Sequence, residues 1–227
     1  KAMLEYAYSR SGKPVLVDKI TPYRHTAETV LRQIRRYTPH AKRIQLVRDG
    51  RDVLTSGVFD WIARTKRDHP RYAVFVRKEA GITLDRFFDD DDLAQWADEW
   101  AQPIRAFQQA GGAPITIRYE DMKSDQAAVL ETVFRFLDLE ATPDMVQHCI
   151  EESSFRKMSA GREAGQGVAT AKARKGIAGD WKNYFTRHDG ERFHELAGES
   201  LLEMGYVKNA DWVDELPETL ALTAEQA

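Results

Sequence analysis

The chain has 227 residues, which is enough for one domain or two small ones. Apolar residues make up 42% of it and aromatic residues 10%, so it can bury a core, and wholesale disorder is excluded. No apolar run approaches the ~18 residues of a membrane-spanning helix. The net charge of −3 argues against a nucleic-acid-binding surface. The single cysteine, Cys149, excludes an internal disulfide and a cysteine-based zinc site.

Short apolar runs alternate with helix-like segments along the chain. The apolar runs predict three strands, at 15–17, 43–47 and 115–119. The helix-like segments lie at 2–10, 26–37, from 52 onward, 125–137, 143–151 and 189–204. This alternation is typical of an α/β fold with a parallel sheet. We expect one domain over 1–207 and then a loosely attached acidic tail over 208–227.

Charged residues follow each predicted strand, where open α/β sheets bind their ligands. In the segment 46–56, a strand delivers Arg48 to its carboxyl end, Gly50 makes a turn, and Ser56 lies one turn inside the next helix. An arginine fork and a hydroxyl near a helix N-terminus make a phosphate site. An ordinary strand–turn–helix, with Asp52 as a cap and Arg51 in a surface ion pair, explains the same segment equally well.

A second segment, 173–186, combines Arg174, Lys175 and Gly176 with aromatic residues that follow them. Cationic side chains beside a glycine can surround an anion, because the glycine lets the backbone N–H approach closely. Taken alone, this segment is equally well explained as a flexible basic loop without a ligand.

Together the two segments are far more specific than either alone. Segments 48–56 and 174–183 resemble the two characteristic motifs of the sulfotransferases that use 3′-phosphoadenosine 5′-phosphosulfate (PAPS). Segments 118–122 and 153–158 resemble the Tyr-Glu-Asp and Ser-Phe-x-x-Met segments of that family, and all four occur in the family's order. The resemblance implies a three-layer, P-loop-like α/β fold with a central parallel sheet flanked by helices.

The resemblance also implies roles at the 3′-phosphate. It assigns Arg48 and Ser56 to that phosphate, with Arg174, Lys175 and Gly176 completing the pocket. A bidentate arginine–phosphate pair is about twice as strong as a neutral hydrogen bond. The 3′-phosphate would therefore distinguish this donor from ATP and AMP.

Further roles concern the adenine base. The resemblance implies that Tyr119 forms a hydrogen bond with the adenine and that Phe155 stacks near it. Ser153 belongs to the segment that lies beside the base in the family. Trp181 is expected to pack the loop and not to touch the ligand.

The transfer chemistry is expected where the first predicted strand ends in Asp18 and Lys19. Many carbohydrate and bacterial sulfotransferases carry a similar Lys-Thr-Pro segment there, from which this chain departs by the inserted Ile20. Lys19 is a candidate for stabilising charge on the sulfuryl group or the bridging oxygen, and a surface lysine is the alternative. The acceptor must lose a proton as it attacks sulfur, so His25 or Asp18 is a candidate base, unless His25 is only a helix-start or core residue.

The family's first motif, a strand followed by a 5′-phosphosulfate loop, is not found before Lys19. The segment 9–13 has no apolar strand before it and reads as a turn that ends a helix. We therefore expect that the chain begins inside a larger protein. By itself it should catalyse weakly or not at all, because groups that face the reacting atoms usually supply the largest catalytic effect.

The resemblance implies a PAPS-dependent sulfotransferase that works without a metal. It would transfer a sulfuryl group in line to a hydroxyl or amine of a small-molecule or carbohydrate acceptor and release 3′-phosphoadenosine 5′-phosphate (PAP). A P-loop nucleotide kinase and a non-catalytic nucleotide-binding or interaction domain are the alternatives. We expect a cytoplasmic location and no nucleic-acid or membrane partner. The oligomeric state stays open, a homodimer included.

Overall fold

The computed structural model describes residues 10, 12, 15–21, 25–65, 68–111, 113–159, 161–166, 168 and 174–224. The predicted helix over 2–10 and the turn over 9–13 lie almost wholly outside these residues. Within the described ranges, no helix combines the length and the apolar character needed to cross a membrane.

Helices dominate the structure. They are α1 (Ala27–Tyr37), α2 (Gly50–Thr65), α3 (Pro70–Phe75), α4 (Asp90–Gln109), α5 (Tyr119–Ser124), α6 (Gln126–Phe136), α7 (Pro143–Glu152), α8 (Phe155–Met158) and α9 (Arg187–Glu203). The strands are β1 (Ile44–Val47) and β2 (Ile115–Arg118), and short 3-10 helices cover Asp180–Asn183 and Asp211–Val213. The helices predicted from residue 26 onward are all present, with ends close to the predicted ones.

The strands β1 and β2 pair in parallel. Ile44 lies opposite Ile115, and Val47 lies opposite Arg118. The chain passes through α2, α3 and α4 between the two strands, so the prediction of an α/β fold with parallel pairing is confirmed. This register brings the residues that follow β1 and β2 to the same edge of the sheet.

The prediction of a strand at 15–17 is wrong. Residues 15–21 form neither helix nor strand, and the side chains of Leu16, Val17 and Ile20 are 40%, 78% and 45% exposed. None of the described strands pairs with this segment. A strand exists only where a neighbour supplies the ladder hydrogen bonds, and an apolar run alone does not provide that neighbour.

The core lies around α4, which packs against α1, α2 and α9. Its centre is a cluster of fully buried aromatic rings, in which the ring of Phe59 lies 4.7 Å from that of Phe87 and 5.3 Å from those of Phe75 and Tyr184. Edge-to-face and tilted pairs of this kind add to the free energy of apolar burial. The core therefore joins α2 to the segment that contains Tyr184.

The expectation of a loosely attached tail is also wrong. Val213, Leu216 and Leu222 are 8%, 8% and 2% exposed, and Leu222 forms an antiparallel bridge with Leu84. Five of the 20 residues in 208–227 are acidic, but the apolar residues between them enter the core. Burial of these side chains attaches the C-terminal segment to the rest of the fold.

Candidate functional site

The two strands end side by side and deliver Arg48 and Tyr119 to one place. The Arg48 guanidinium carbon lies 4.9 Å from the centre of the Tyr119 ring, and Arg48 Nη2 donates to the carbonyl oxygen of Ile177 at 3.2 Å. Burial raises the pKa of Tyr119 and the charge of Arg48 opposes that shift, so the hydroxyl stays protonated at neutral pH. The guanidinium is therefore oriented by contacts within the protein itself.

Asp52 joins α2 to the basic loop, a name used here for residues 174–179. Its carboxylate accepts hydrogen bonds from the backbone N–H groups of Gly179 at 2.8 Å and Trp181 at 3.0 Å. Its Oδ2 atom also lies 3.5 Å from Arg48 Nη2. Burial raises the pKa of Asp52, and the charge of Arg48 and the two N–H donors oppose the shift. Arg48, α2 and the basic loop are thus held to one another.

The two cations of the basic loop share one carboxylate. Arg174 Nη2 donates to Asp180, and its guanidinium carbon lies 4.3 Å from the centre of the Phe59 ring. Lys175 Nζ donates to Asp180 Oδ1 at 3.0 Å and to the Tyr184 hydroxyl at 3.2 Å. Burial opposes the ionisation of Asp180, but the two cations outweigh it, and the pKa of Asp180 lies below its ordinary value. Asp180 therefore fixes both cations in place.

Phe155 contacts the basic loop at Gly176. The backbone of Gly176 has φ +68°, and a Cβ atom at this position would lie 2.4 Å from two ring carbons of Phe155. Glycine adopts positive φ without strain and leaves room for the ring. The structure thus brings the predicted aromatic residue and the predicted phosphate loop together.

The two predicted serines have different surroundings. Ser56 is half-buried on α2, four residues after Asp52 and therefore on the same face of the helix. Ser153 caps the end of α7, where its hydroxyl accepts from Gln126 Nε2 at 2.8 Å and donates to the Cys149 carbonyl oxygen at 2.6 Å. The hydroxyl of Ser153 is therefore engaged in the contact between α6 and α7, and its role beside the base stays a prediction.

Two buried nitrogen atoms of this region have no hydrogen-bond partner within the described part of the chain. They are Nε of Arg48 and Nε of Arg174. A buried donor left unpaired costs about 1–3 kcal/mol, and phosphate oxygens are strong acceptors for arginine. The donor set therefore fits the 3′-phosphate of PAPS or PAP. Among the described residues, no group of three or more His, Cys, Asp or Glu side chains could hold a metal.

Lys19 and His25 take part in none of the contacts described above. Lys19 is exposed in the irregular segment 15–21, and His25 is exposed in the turn before α1. Residues 22–24, between the two, lie outside the described residues. The catalytic roles of Lys19 and His25 stay predictions.

The structure adds two aspartates that the motifs alone did not identify. Asp52 was explained as a helix cap, but its carboxylate accepts from the N–H groups of the distant residues Gly179 and Trp181. Asp180 had no assigned role and binds both cations of the basic loop. The spacing offers one signal, since Asp52 lies only four residues after Arg48, in the first turn of α2, where the two side chains can meet.

Arg51 and Trp181 form a second buried link. Arg51 is 4% exposed, and its Nε and Nη2 atoms donate to the carboxylate of Asp49 at 2.9 and 2.7 Å. Its guanidinium carbon lies 3.9 Å from the centre of the Trp181 ring and 4.6 Å from that of Trp212. The ion pair of Arg51 is therefore buried, and the alternative interpretation that placed it on the surface is wrong. Trp181 is 5% exposed and packs the loop as predicted.

Comparison with known proteins decides the family. The sequence profile described as "Sulfotransferase domain" matches residues 24–205. The chain belongs to the sulfotransferase family. Its curated relatives include Sulfotransferase 2A1 of Rattus norvegicus, 29% identical over 175 residues, and Sulfotransferase 2A1 of Homo sapiens, 27% identical over 181 residues. These alignments cover 73% and 74% of this sulfotransferase-family chain, which spans only 58% and 59% of the relatives' length.

A solved structure agrees on the fold. The crystal structure of mouse sulfotransferase SULT7A1 complexed with PAP superimposes with a TM-score of 0.53 and 21% sequence identity. The superposition covers 81% of this chain and 65% of SULT7A1. The predicted P-loop-like α/β fold of the sulfotransferases is therefore confirmed.

Proposed function

We propose that the region around Arg48 binds the 3′-phosphoadenosine half of PAPS and of its product PAP. The observation that carries the proposal is the arrangement of the Arg48 side chain. Its guanidinium lies over Tyr119, donates to the basic loop at Ile177, and keeps a buried Nε without a hydrogen-bond partner in the described residues. A phosphate at this position would accept from that donor.

The charge of the basic loop supports the same proposal. Arg174 and Lys175 share a single carboxylate, so the loop keeps one positive charge for an anion. We assign the 3′-phosphate to Arg48, Ser56, Arg174, Lys175 and Gly176. The glycine contributes because its backbone N–H can approach an anion without a side chain in the way.

The adenine would lie between Tyr119 and Phe155. Phe155 packs on Gly176 and so presents an aromatic surface next to the phosphate loop. Stacking of a base on an aromatic side chain contributes about 1–3 kcal/mol. The protonated hydroxyl of Tyr119 would donate to a ring nitrogen of the adenine, and Ser153 would lie beside the base.

For the whole protein, we propose PAPS-dependent sulfuryl transfer to a hydroxyl or amine of a small-molecule or carbohydrate acceptor. PAPS supplies an activated sulfuryl group, whose transfer releases PAP. The acceptor oxygen or nitrogen loses a proton as it bonds to sulfur, and His25 is the proposed base. Lys19 is proposed to face the bridging oxygen, where negative charge develops. Family membership supports this assignment.

Calorimetric titration of the chain with PAP and with 5′-AMP tests the donor site. We expect a preference for PAP of about tenfold or more, because a charge-assisted phosphate contact contributes about 1.5–3 kcal/mol. The Arg48→Ala variant should lose that preference. Arg64→Ala is the matched control, since this arginine lies in the last turn of α2 with its side chain 71% exposed. Equal binding of both nucleotides by the unaltered chain would refute the proposed function.

A turnover assay distinguishes a sulfotransferase from a non-catalytic nucleotide-binding domain that uses the same site. The whole protein should release PAP from PAPS in the presence of an acceptor. Binding of PAP without turnover across a panel of hydroxyl and amine acceptors would instead favour a non-catalytic nucleotide-binding domain.

Location and assembly are proposed on composition alone. A single cysteine suits the reducing cytoplasm, where thiols are not needed for structure. Fractionation of cells that express the whole protein tests the location. Light scattering of the purified protein tests for the homodimer.

A further inference from the structure

Asp52 lies where three parts of the molecule meet. It belongs to the first turns of α2, it accepts from the backbone N–H groups of Gly179 and Trp181, and it lies 3.5 Å from Arg48 Nη2. Arg48 itself donates to the carbonyl oxygen of Ile177. The ion pair and these backbone hydrogen bonds tie one end of the basic loop to α2 and to the end of β1.

The environment makes these contacts unusually important. Asp52 is 1% exposed, so no competing water surrounds its carboxylate. A buried carboxylate has to be matched by donors and by positive charge, and here the backbone of the loop and Arg48 are those partners. Any movement of the basic loop and of the 3-10 helix that follows it away from α2 would break both backbone hydrogen bonds to the Asp52 carboxylate. The loop is therefore held in one position by the need to satisfy Asp52.

We propose that Asp52 is a positioning residue that sets the distance between Arg48 and the basic loop and thereby the selectivity for a 3′-phosphate. The inference rests on the proposed donor site. Asp52 does not touch the phosphate, since a carboxylate next to it would repel it. It acts by keeping the cations on the two sides of the phosphate at a fixed separation, so that both can bind the same group.

Asp52→Asn is the first test, and Asp60→Asn is its matched control. The asparagine has nearly the same shape, but its oxygen can accept from one of the two N–H groups while its NH2 group cannot accept from the other. Asp60 lies on the same helix, half-exposed and paired with Arg64. Both variants remove one carboxylate from α2, so a difference between them reports the position and not the charge.

Two readouts separate positioning from general stability. Amide hydrogen exchange without nucleotide should become about tenfold faster over 174–183 in Asp52→Asn than in the unaltered chain, with α4 and α9 unchanged. The ratio of PAP affinity to 5′-AMP affinity should fall by about tenfold. Asp60→Asn should leave both quantities unchanged.

Gly179→Ala gives an independent variant that leaves Asp52 intact. Gly179 has φ +80°, and no atom lies within 4 Å of an added Cβ, so the alanine strains the loop backbone without a clash. It should lower the PAP preference in the same way. If the unaltered chain prefers PAP but Asp52→Asn and Gly179→Ala keep that preference, the positioning role is wrong and the donor site stands. If the unaltered chain shows no preference, both proposals fall.

Discussion

The two sides of β1 differ sharply in how they are packed. On one side, α2 and the basic loop are joined by buried charges, and the guanidinium of Arg51 lies against the rings of Trp181 and Trp212. On the other side, the side chains of Ile44 and Leu46 are 39% and 63% exposed. The first side holds the proposed phosphate-binding residues. The segment 15–21, in which Lys19 was expected to act, is also mostly exposed.

This difference teaches which part of the site the chain builds by itself. The residues assigned to the 3′-phosphate are positioned by contacts that α2, the basic loop and the C-terminal segment make with one another. Exposed apolar side chains such as Leu46 contribute little to stability where they are. Substitutions should therefore have large effects on the first side and small effects on the second, and the predictions below run in that order.

The largest effect is expected for Asp180→Ala. The substitution leaves the charges of Arg174 and Lys175 without their buried counter-ion, and breaking a buried pair costs about 3–5 kcal/mol. Denaturant unfolding measures the loss. In the control Glu195→Ala, the carboxylate pairs with Arg192 on α9 and is 68% exposed, and the loss should be about 0–1 kcal/mol. Similar losses in the two variants would mean that the basic loop is not held by Asp180.

The next effect concerns the C-terminal segment. Leu222→Ala should destabilise the fold by about 2–5 kcal/mol, because the side chain is 2% exposed and its removal leaves a cavity. Leu202→Ala, at a position that is 42% exposed, should change the free energy of unfolding by about 0.5 kcal/mol or less. If Leu222→Ala is as stable as its control, the C-terminal segment is loosely attached, as its acidic composition had suggested.

A smaller loss is expected for Gly176→Ala. Positive φ costs a non-glycine residue about 1–3 kcal/mol, and here the added Cβ also meets Phe155. Gly165→Ala is the control, with φ +94° and no atom within 4 Å of the Cβ. Thermal unfolding should show a larger loss for Gly176→Ala. PAP affinity should fall only in that variant, and an unchanged affinity would remove Gly176 from the phosphate site.

The dependence of folding stability on pH tests the same carboxylate as the first prediction, that of Asp180. The cations hold the pKa of Asp180 below its unfolded value of about 3.9, so its ionised form stabilises the fold above that pH. This contribution is lost as pH falls through the lower, folded pKa. The stability difference between the unaltered chain and Asp180→Asn should therefore shrink on going from about pH 6 to about pH 2. A difference that stays constant with pH would show that Asp180 does not titrate with a lowered pKa.

The smallest effect is expected on the exposed side of β1. Leu46→Thr should change the free energy of unfolding by about 0.5 kcal/mol or less, since the leucine is mostly exposed and threonine suits a strand. Val47→Thr is the control one residue along, where the side chain is 6% exposed and a buried hydroxyl costs about 1–3 kcal/mol. Equal losses would show that the two sides of β1 are packed alike.

Much of the architecture could be predicted from local pattern. The helices from residue 26 onward and the strands β1 and β2 follow from hydrophobic period and turn residues. The meeting of Arg48 and Tyr119 follows from parallel pairing, because both come directly after neighbouring strands. The four family segments also gave the family, which the profile match confirms.

Other features depend on contacts between distant residues and so could not be predicted. The run at 15–17 has the composition of a strand, but strand formation depends on a partner. The C-terminal segment has an acidic composition, but Leu222 enters the core through its pairing with Leu84. Asp52 has the position of a helix cap. Its carboxylate, however, accepts a hydrogen bond from the backbone N–H of Gly179, in a loop more than a hundred residues away.

The most direct test of the account compares two nucleotides that carry the same charge. Calorimetry of the unaltered chain with PAP and with adenosine 2′,5′-bisphosphate changes only the ribose position of one phosphate. The account predicts that PAP binds at least about tenfold more tightly, because Arg48 and the basic loop are fixed around one position. Equal affinity for the two isomers would show that the region attracts phosphate by charge alone, and it would contradict a positioned 3′-phosphate site.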